Sequence, residues 1–256
     1  MTDAPAPAPV VVVERHDQVA LIRLNRPAAR NAVNVELATA LVAAMQDCQD
    51  ARAIVITGEG KAFCAGLDLR NLGTDRLVDL PPFVDSVATS GVPTIAAVNG
   101  PAVTGGFEIA LSCDFMVAST AAAFADTHLR VGVYPGPVLV ELPRRVGMAK
   151  AREMSLTGNF VDAETALRIG LVNHVVAPED LLPFALSLAQ AIAEQSPEMV
   201  ATMRRDWAET STLPVRAALA RHYEIAAQAG FSGAQSDTLT ANMSAVVARA
   251  RDQRPT

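Results

Sequence analysis

The chain has 256 residues, of which 50% are hydrophobic and only 4% are aromatic. This composition suits an Ala-, Val- and Leu-rich α/β enzyme better than a disordered or fibrous protein, and the length allows one substantial core or a core with a helical appendage. The formal net charge of −6 argues against a nucleic-acid surface, because phosphate binding requires clustered Lys and Arg.

The cysteines indicate a reducing environment. Cys48, Cys64 and Cys113 are odd in number and lack CxxC spacing, so the sequence predicts neither a disulfide framework nor a zinc site. The N-terminus has no basic segment followed by an apolar one, and no run of about 18 apolar residues occurs. We therefore expect a cytoplasmic protein without an export signal or a membrane span.

The first third of the chain reads as a tail, a hairpin, a helix and a strand. The alternating Ala-Pro opening predicts a disordered tail over residues 1–9, ahead of a core over 10–196 and a helical region over 197–256. Two β-branched runs around a His16-Asp17 turn predict a hairpin. A helical pattern then begins near Asn34 or Val35, and "ARAIVITG" predicts a buried strand.

The later elements are a strand, a helix, two short strands and a series of helices. "VPTIAAVNGPA" predicts the strand, and "TGGFEIALSC" predicts the helix, with the Thr104 hydroxyl as its N-cap. "DFMVASTAAAFAD" predicts the two short strands. Asp162 is the expected N-cap of a further helix. From Leu181 the pattern is helical and amphipathic, with breaks at Pro197 and Pro214.

Several common catalytic motifs are absent. No phosphate-binding P-loop, no G-x-G-x-x-G after a strand and no G-x-S-x-G elbow occurs, which argues against nucleotide hydrolysis and serine hydrolysis. The four histidines show no i, i+4 spacing, so no metal site is predicted.

Two strand-turn-helix units, around residues 54–70 and 94–112, offer backbone amides that can converge on a carbonyl oxygen. Gly105 falls in the first helical turn of the second unit, and Glu108 lies on the same helix face. A carboxylate placed there can move a proton on a thioester whose carbonyl rests on the Gly105 amide. The spacing alone equally suits an early-helix acid that favours the helix dipole, so both interpretations stay open.

Four sequence blocks resemble the crotonase, or enoyl-CoA hydratase/isomerase, superfamily over residues 20–176. They are "LNRPAARNAV", "IVITGEGKAFCAGLDLR", "AAVNGPAVTGGFEIALSCDFMVAS" and "LTGNFVDAETALRIGLVNHVV". The resemblance implies a crotonase-like α/β spiral of repeated ββα units with a C-terminal helical trimerisation region, assembled into trimers or dimers of trimers. It also implies that the amides of Leu67 and Gly105 stabilise a thioester enolate, with Glu108 as the acid-base group.

The same resemblance assigns the residues that hold CoA. The backbone around Ala65 is expected to hold the adenine, with Asp68 in the same turn, and Arg30 and Arg70 are expected to meet the phosphates. Arginine suits that task because its fork binds phosphate oxygens bidentately, although an exposed, solvated side chain is the alternative for each. Cys64 is expected to have a structural or pocket-lining role rather than that of a reactive thiol.

The sequence departs from the family pattern at its C-terminal end, at His128 and in the segment that follows His128. His128 occupies the position of the second acid of hydratases, where it either performs acid-base work or only lines the pocket. The segment "PGPVLVELPRRVG" replaces a small-residue loop that borders the acyl pocket in the family. Glu141 in this segment is expected to be ion-paired or solvent-facing, with a substitute-acid role as the alternative.

The resemblance implies hydration of a 2-trans-enoyl-CoA to a 3-hydroxyacyl-CoA. Two alternatives remain: an enoyl-CoA double-bond isomerase that uses a single Glu base, and a non-catalytic acyl-CoA-binding protein. No metal or organic cofactor is expected, because CoA enters as part of the substrate.

Overall fold

The computed structural model describes residues 8–68 and 80–230, together with positions 243 and 247. By compactness the chain divides into two units, residues 1–195 and residues 196–256. Most of the predicted disordered tail, the predicted phosphate ligand Arg70 and nearly all of the last 26 residues lie outside the described residues.

Nine strands and eight helices are described in the first unit. The strands are β1 Val11–His16, β2 Val19–Leu24, β3 Ala53–Gly58, β4 Thr94–Val98, β5 Ala102–Val103, β6 Phe115–Ser119, β7 Ala123–Ala125, β8 Val161–Asp162 and β9 His174–Val176. The helices are α1 Val35–Asp47, α2 Phe83–Ala88, α3 Gly105–Leu111, α4 His128–Val131, α5 Val138–Val146, α6 Met148–Thr157, α7 Ala163–Arg168 and α8 Leu181–Ala193. Short 3-10 turns cover Pro27–Ala29 and Pro178–Asp180.

Six strands form the main sheet, in the order β1-β2-β3-β4-β6-β9. β1 and β2 make the predicted antiparallel hairpin, with Asp17 in the left-handed conformation at its turn (φ 53°). The remaining neighbours pair in parallel. Every residue of β3 and β4 is buried, as expected for central strands of a parallel sheet that is covered on both faces.

The two faces of the main sheet bury separate hydrophobic clusters because successive side chains of a strand point to opposite sides. Ile54 and Ile56 belong to the larger cluster, which α1, α2 and α3 cover. Val55 belongs to the smaller cluster, which packs under α8. The first cluster also supports the turns that follow β3 and β4, so the sheet fixes where those turns lie.

A second sheet of three short strands, in the order β5-β7-β8, lies beside these turns. β5 and β7 are parallel, with Val103 opposite Ala125. The Thr104 amide extends the pairing by donating to the Ala125 carbonyl at 3.0 Å. The end of β7 is thereby held next to the start of α3.

The predicted cap at Asp162 is confirmed, and Asn34 caps α1 at the predicted start of that helix. Oδ1 of Asn34 accepts the Leu37 amide at 2.9 Å at the start of α1. Oδ1 of Asp162 accepts the Thr165 amide at 2.8 Å at the start of α7. Both caps have extended backbone, which lets the side-chain oxygen turn back over the first helical turn.

The predicted cap by the Thr104 hydroxyl is wrong. Thr104 precedes α3 with φ 46° and ψ −120°, and its side chain makes no capping hydrogen bond. This backbone directs the hydroxyl away from the helix and against Gly66, where a Cβ would come within 1.8 Å of Oγ1. The physical reason is that capping requires extended backbone, whereas the strand pairing at Ala125 holds Thr104 in a conformation that non-glycine residues seldom adopt.

In the second unit, α9 Pro197–Thr210 and α10 Val215–Gln228 pack against each other. Pro197 is the first residue of α9, and Pro214 is the N-cap residue of α10, as the predicted breaks require. Among the described residues, no helix has the length and apolar character needed to cross a membrane.

Candidate active site

The turn after β3 contains the first predicted oxyanion amide, that of Leu67, and hydrogen bonds fix the residues on both sides of it. The Asp68 amide donates to the Val33 carbonyl at 2.9 Å, and the Val33 amide donates to the Gly66 carbonyl at 2.7 Å. The Leu67 amide itself has no acceptor among the described residues. It is therefore a rigidly placed donor that a ligand oxygen can use.

The start of α3 contains the second predicted amide, that of Gly105, which also lacks an acceptor within residues 8–68 and 80–230. A Cβ built on Gly105 would meet only side chains, the Phe83 ring at 3.5 Å and Cδ2 of Leu67 at 3.8 Å. The next residue, Gly106, lies against backbone, since its Cβ would be 2.2 Å from the Cys64 carbonyl oxygen. This contact brings the start of α3 against the turn after β3, so the two free amides are neighbours.

Asn31 supports the approach to this turn, although it was not among the residues predicted from the sequence. The residue is fully buried with φ 56°, and its Nδ2 donates to three backbone carbonyls. These belong to Glu59, Ala62 and Phe63, at 3.0, 2.8 and 3.2 Å. Its Oδ1 accepts the Arg26 amide at 2.9 Å. One side chain thus holds the segment between β3 and the Leu67 turn.

Glu108 lies in the first turn of α3 and is only 6% exposed. Its Oε1 accepts the Val138 amide at 3.3 Å, and its Oε2 lies 3.9 Å from Nε2 of His128. Burial raises the pKa of Glu108, against the opposing effects of His128 and the Val138 and Gly136 amides. A carboxyl group with a raised pKa exchanges a proton more readily near neutral pH than an exposed one.

His128 is the first residue of α4 and is also buried. Its Nδ1 lies 2.6 Å from Oδ1 of Asp126, a residue that was not predicted from the sequence. Burial alone would raise the pKa of Asp126, but the hydrogen bond with His128 and the nearby Ser155 hydroxyl together lower the pKa by more. Oδ2 of Asp126 has no hydrogen-bond partner among the described residues. The Asp-x-His spacing was the available signal for this pair.

A cavity of about 80 Å³ lies between His128 and the Leu67 turn. Its lining residues are Ala65, Leu67, Thr104, Thr127, His128, Val131 and Val133. His128 and the Leu67 turn thus face the same space. The structure therefore brings the predicted residues Leu67, Gly105, Glu108 and His128 together.

The predicted CoA-binding residues differ in their surroundings. Arg30 is exposed, and its side chain has no partner among the described residues, while its carbonyl accepts the Ala65 amide at 3.0 Å. Asp68 is buried, and its carboxylate pairs with Arg26 at 3.2 Å. The CoA contacts of Arg30, Ala65 and Asp68 remain predictions, and Arg70 lies outside the described residues.

Cys64 and Glu141 have the surroundings expected of structural residues. Burial raises the pKa of Cys64 to about 12, which keeps the thiol protonated, and its Sγ donates to the Asn31 carbonyl at 3.0 Å. Glu141 pairs with Arg144 at 3.2 Å on the exposed side of α5. Among the described residues, no group of three or more His, Cys, Asp or Glu side chains is arranged to hold a metal ion.

A largely apolar cavity of about 300 Å³ lies between α5 and α6. Its lining residues are Val138, Leu139, Pro143, Met148, Ala151, Arg152, Ser155 and Leu156. Val138 also donates its amide to Glu108, and Ser155 lies near Asp126. The divergent segment after Pro135 therefore forms one wall of a cavity next to the candidate acid-base groups.

Relatives of known sequence share most of the chain. A probable enoyl-CoA hydratase from Rhizobium meliloti is 44% identical over 195 residues, which are 73% of this chain and 76% of the relative. A probable enoyl-CoA hydratase from Mycobacterium tuberculosis is 38% identical over 248 residues, which are 91% of this chain and 94% of the relative.

Solved structures show the same fold. An enoyl-CoA hydratase subunit from Geobacillus kaustophilus matches with a TM-score of 0.84 at 30% identity, covering 96% of this chain and 97% of that one. An enoyl-CoA hydratase from Mycobacterium smegmatis matches with a TM-score of 0.69 at 40% identity, covering 88% and 100%. The family model for enoyl-CoA hydratase/isomerase matches residues 14–237. The chain belongs to the enoyl-CoA hydratase/isomerase family, the crotonase superfamily of enzymes.

Proposed function

We propose that the protein adds water across the double bond of a 2-trans-enoyl-CoA to give a 3-hydroxyacyl-CoA. The observation that carries this proposal is Glu108, a buried carboxyl group of raised pKa, three residues after a free helix-start amide. The names of the relatives, probable enoyl-CoA hydratases, support the same reaction class.

The thioester carbonyl oxygen would accept hydrogen bonds from the backbone amides of Leu67 and Gly105. Both amides lack an acceptor in the described part of the protein, and the backbone around Leu67 is fixed by hydrogen bonds. Donors that are already in place stabilise the developing enolate oxygen without reorganisation during the reaction. Glu108 then exchanges the proton that hydration requires.

The acyl chain would extend into the apolar cavity between α5 and α6. Val138 supports this direction, because it lines that cavity while its amide binds Glu108. Arg30 would meet the phosphates of CoA, since its exposed guanidinium has no partner among the described residues. Assembly into trimers or dimers of trimers, implied by the family resemblance, is part of the same proposal.

The test compares Glu108→Gln with the matched control Glu141→Gln. Loss of the ultraviolet absorbance of the conjugated enoyl thioester follows hydration, with short and long 2-enoyl-CoAs measured in parallel. We expect Glu108→Gln to lower kcat by about 10²–10⁴-fold while acyl-CoA binding by calorimetry persists, since general acid-base groups contribute that much. Glu141→Gln should leave kcat unchanged, because Glu141 is paired on the surface.

Other outcomes would reject the proposal in distinct ways. Full hydration by Glu108→Gln would remove Glu108 from the mechanism. No hydration by the parent protein, with turnover of 3-enoyl-CoA, would identify the isomerase, which can shuttle one proton with a single carboxylate. Acyl-CoA binding without turnover of either substrate would identify a binding protein.

A further inference from the structure

His128 lies between two buried carboxyl groups, and its two ring nitrogens face different ones. Nδ1 is 2.6 Å from Oδ1 of Asp126, and Nε2 is 3.9 Å from Oε2 of Glu108. The exposed fraction of the side chain alone is 5% for His128, 1% for Asp126 and 8% for Glu108. Three buried titratable groups this close together are costly unless their protons are arranged to suit them.

The short distance to Asp126 defines the proton arrangement of the imidazole. An ionised carboxylate only accepts hydrogen bonds, so Nδ1 must carry the proton that it shares with Oδ1. In the neutral ring, Nε2 is then unprotonated and points towards Glu108 and the cavity. The lowered pKa of Asp126 is consistent with the ionised form, since His128 hydrogen-bonds to that carboxylate.

The backbone holds this pair in place relative to the free amides. Asp126 follows directly after β7, and the His128 amide lies 3.4 Å from Oδ1 of Asp126. The preceding residue, Ala125, accepts the Thr104 amide at 3.0 Å, next to Gly105. The pair and the start of α3 are therefore joined by one hydrogen bond of the small sheet.

We infer that His128 is the second acid-base residue of the site and that Asp126 is the positioning residue that sets its tautomer. The inference rests on the proposed hydration. Aspartate has an equivalent effect on histidine in catalytic triads, where it fixes the tautomer and stabilises the imidazolium. Here the pair would act in place of the second carboxylate that the sequence lacks at position 128.

The proton balance of the reaction follows from this assignment. Nε2 of His128 takes one proton from water as the hydroxyl oxygen bonds to C3 of the enoyl group. Electrons of the 2,3 double bond move onto the thioester, and the resulting enolate collapses as C2 takes the proton of the Glu108 carboxyl group. The imidazolium then returns its proton to the Glu108 carboxylate across the short gap between them, so that one water is consumed and both residues are restored.

The surrounding space is suited to this role. The cavity of about 80 Å³ that His128 lines exceeds the roughly 30 Å³ that one water occupies in the liquid. The Leu67 turn borders the same cavity, so a water bound there would lie between the histidine and the proposed thioester position. Of the titratable groups, Glu108 faces the ring from α3 and Asp126 from the end of β7. α6 adds the Ser155 hydroxyl beside Asp126.

The experiment uses Asp126→Asn, His128→Gln and the double variant in the full chain. Steady-state hydration is measured with separate kcat and KM, using crotonyl-CoA as the probe. The imidazole ¹⁵N signals of protein labelled at histidine give the tautomer, and His128→Gln identifies the His128 signal among the four histidines.

We expect wild-type His128 to carry its proton on Nδ1 and Asp126→Asn to shift protonation towards Nε2. We also expect Asp126→Asn to lower kcat at least about 100-fold with little change in KM, as for loss of an acid-base contribution. In the His128→Gln background, Asp126→Asn should cause no further loss, since it acts through His128.

An Nε2–H tautomer in the wild-type protein would overturn the inference, and this measurement needs no variant to fold. A folded Asp126→Asn protein with unchanged kcat would also overturn it. Glu108→Gln distinguishes failure of the inference about His128 and Asp126 from failure of the proposed hydration mechanism. If that variant loses hydration while both Asp126→Asn and His128→Gln keep it, the inference fails and the proposed function stands. If Glu108→Gln keeps full hydration, the proposed mechanism itself fails.

Discussion

Replacing Asn31 with Asp tests whether one buried carboxamide holds the segment that leads to the Leu67 turn. Asparagine donates two hydrogens from Nδ2, and three carbonyls lie within 3.2 Å of that nitrogen. The substitution keeps the size and tolerates the left-handed φ of 56°. It replaces both hydrogens with an oxygen that faces carbonyl oxygens.

The expected loss follows from these contacts. Leaving a buried polar group without its partner costs about 1–3 kcal/mol, so two lost hydrogens correspond to about 2–6 kcal/mol. For a chain of this size, each kcal/mol lowers Tm by about 2–4 °C, which predicts a fall of roughly 4–24 °C. Protonation of the new carboxyl group restores one donor, so the loss should shrink as pH falls.

Asn34→Asp is the matched control, with the same chemical change three positions away. Within the described part of the chain, the Asn34 side chain makes one hydrogen bond, accepted from the Leu37 amide, and a carboxylate accepts this bond equally well at a helix start. We expect Asn34→Asp to be neutral or stabilising by about 0.3–1 kcal/mol. Urea and thermal unfolding at equal protein concentration would measure both variants. Equal stability of the two variants would refute the role of Asn31.

Two further predictions concern α3. Gly106→Ala should destabilise the protein by about 1–3 kcal/mol or prevent folding, because the methyl group would meet the Cys64 carbonyl oxygen at 2.2 Å. The control Gly105→Ala should fold, since its methyl group would contact only side chains. Equal Tm values for the two variants would contradict the prediction. Burial raises the pKa of Glu108 in the folded wild type above its unfolded value of about 4.5, so the wild type loses stability as pH rises through this range. Glutamine does not titrate, and Glu108→Gln should therefore gain stability relative to the wild type as pH rises from about 4.5. The gain is at most about 1.4 kcal/mol per pH unit. Urea unfolding of both proteins from about pH 4 to 8 measures it, and a constant difference in unfolding free energy would contradict a raised Glu108 pKa.

Local chemistry made part of the fold predictable. The His16-Asp17 turn, the start of α1 near Asn34, the Asp162 cap and the proline breaks each depend on a few adjacent residues, and the structure has all of them. The parallel order of the main sheet cannot be read from such local signals, because each pairing joins strands that are far apart in sequence. The resemblance to a known family supplied that architecture instead.

The site divides in the same way. Gly105 and Glu108 share one helical turn, so their spacing in the sequence is enough to place them together. Asn31 is different, because its three acceptors lie about 30 positions away and nothing in the sequence marks them. The role of Thr104 was mispredicted, since its residue type favours a cap while strand pairing at Ala125 imposes another backbone.

The burial of every cysteine has a practical consequence. Cys48, Cys64 and Cys113 are buried, and burial raises the pKa of each thiol, to about 12 for the last two. Because the thiolate is the reactive form, alkylating reagents should modify these residues only when the core opens. The rate of thiol labelling would then report how often the core opens. A single cysteine introduced on the surface could carry a fluorophore while all three natural thiols stay in place.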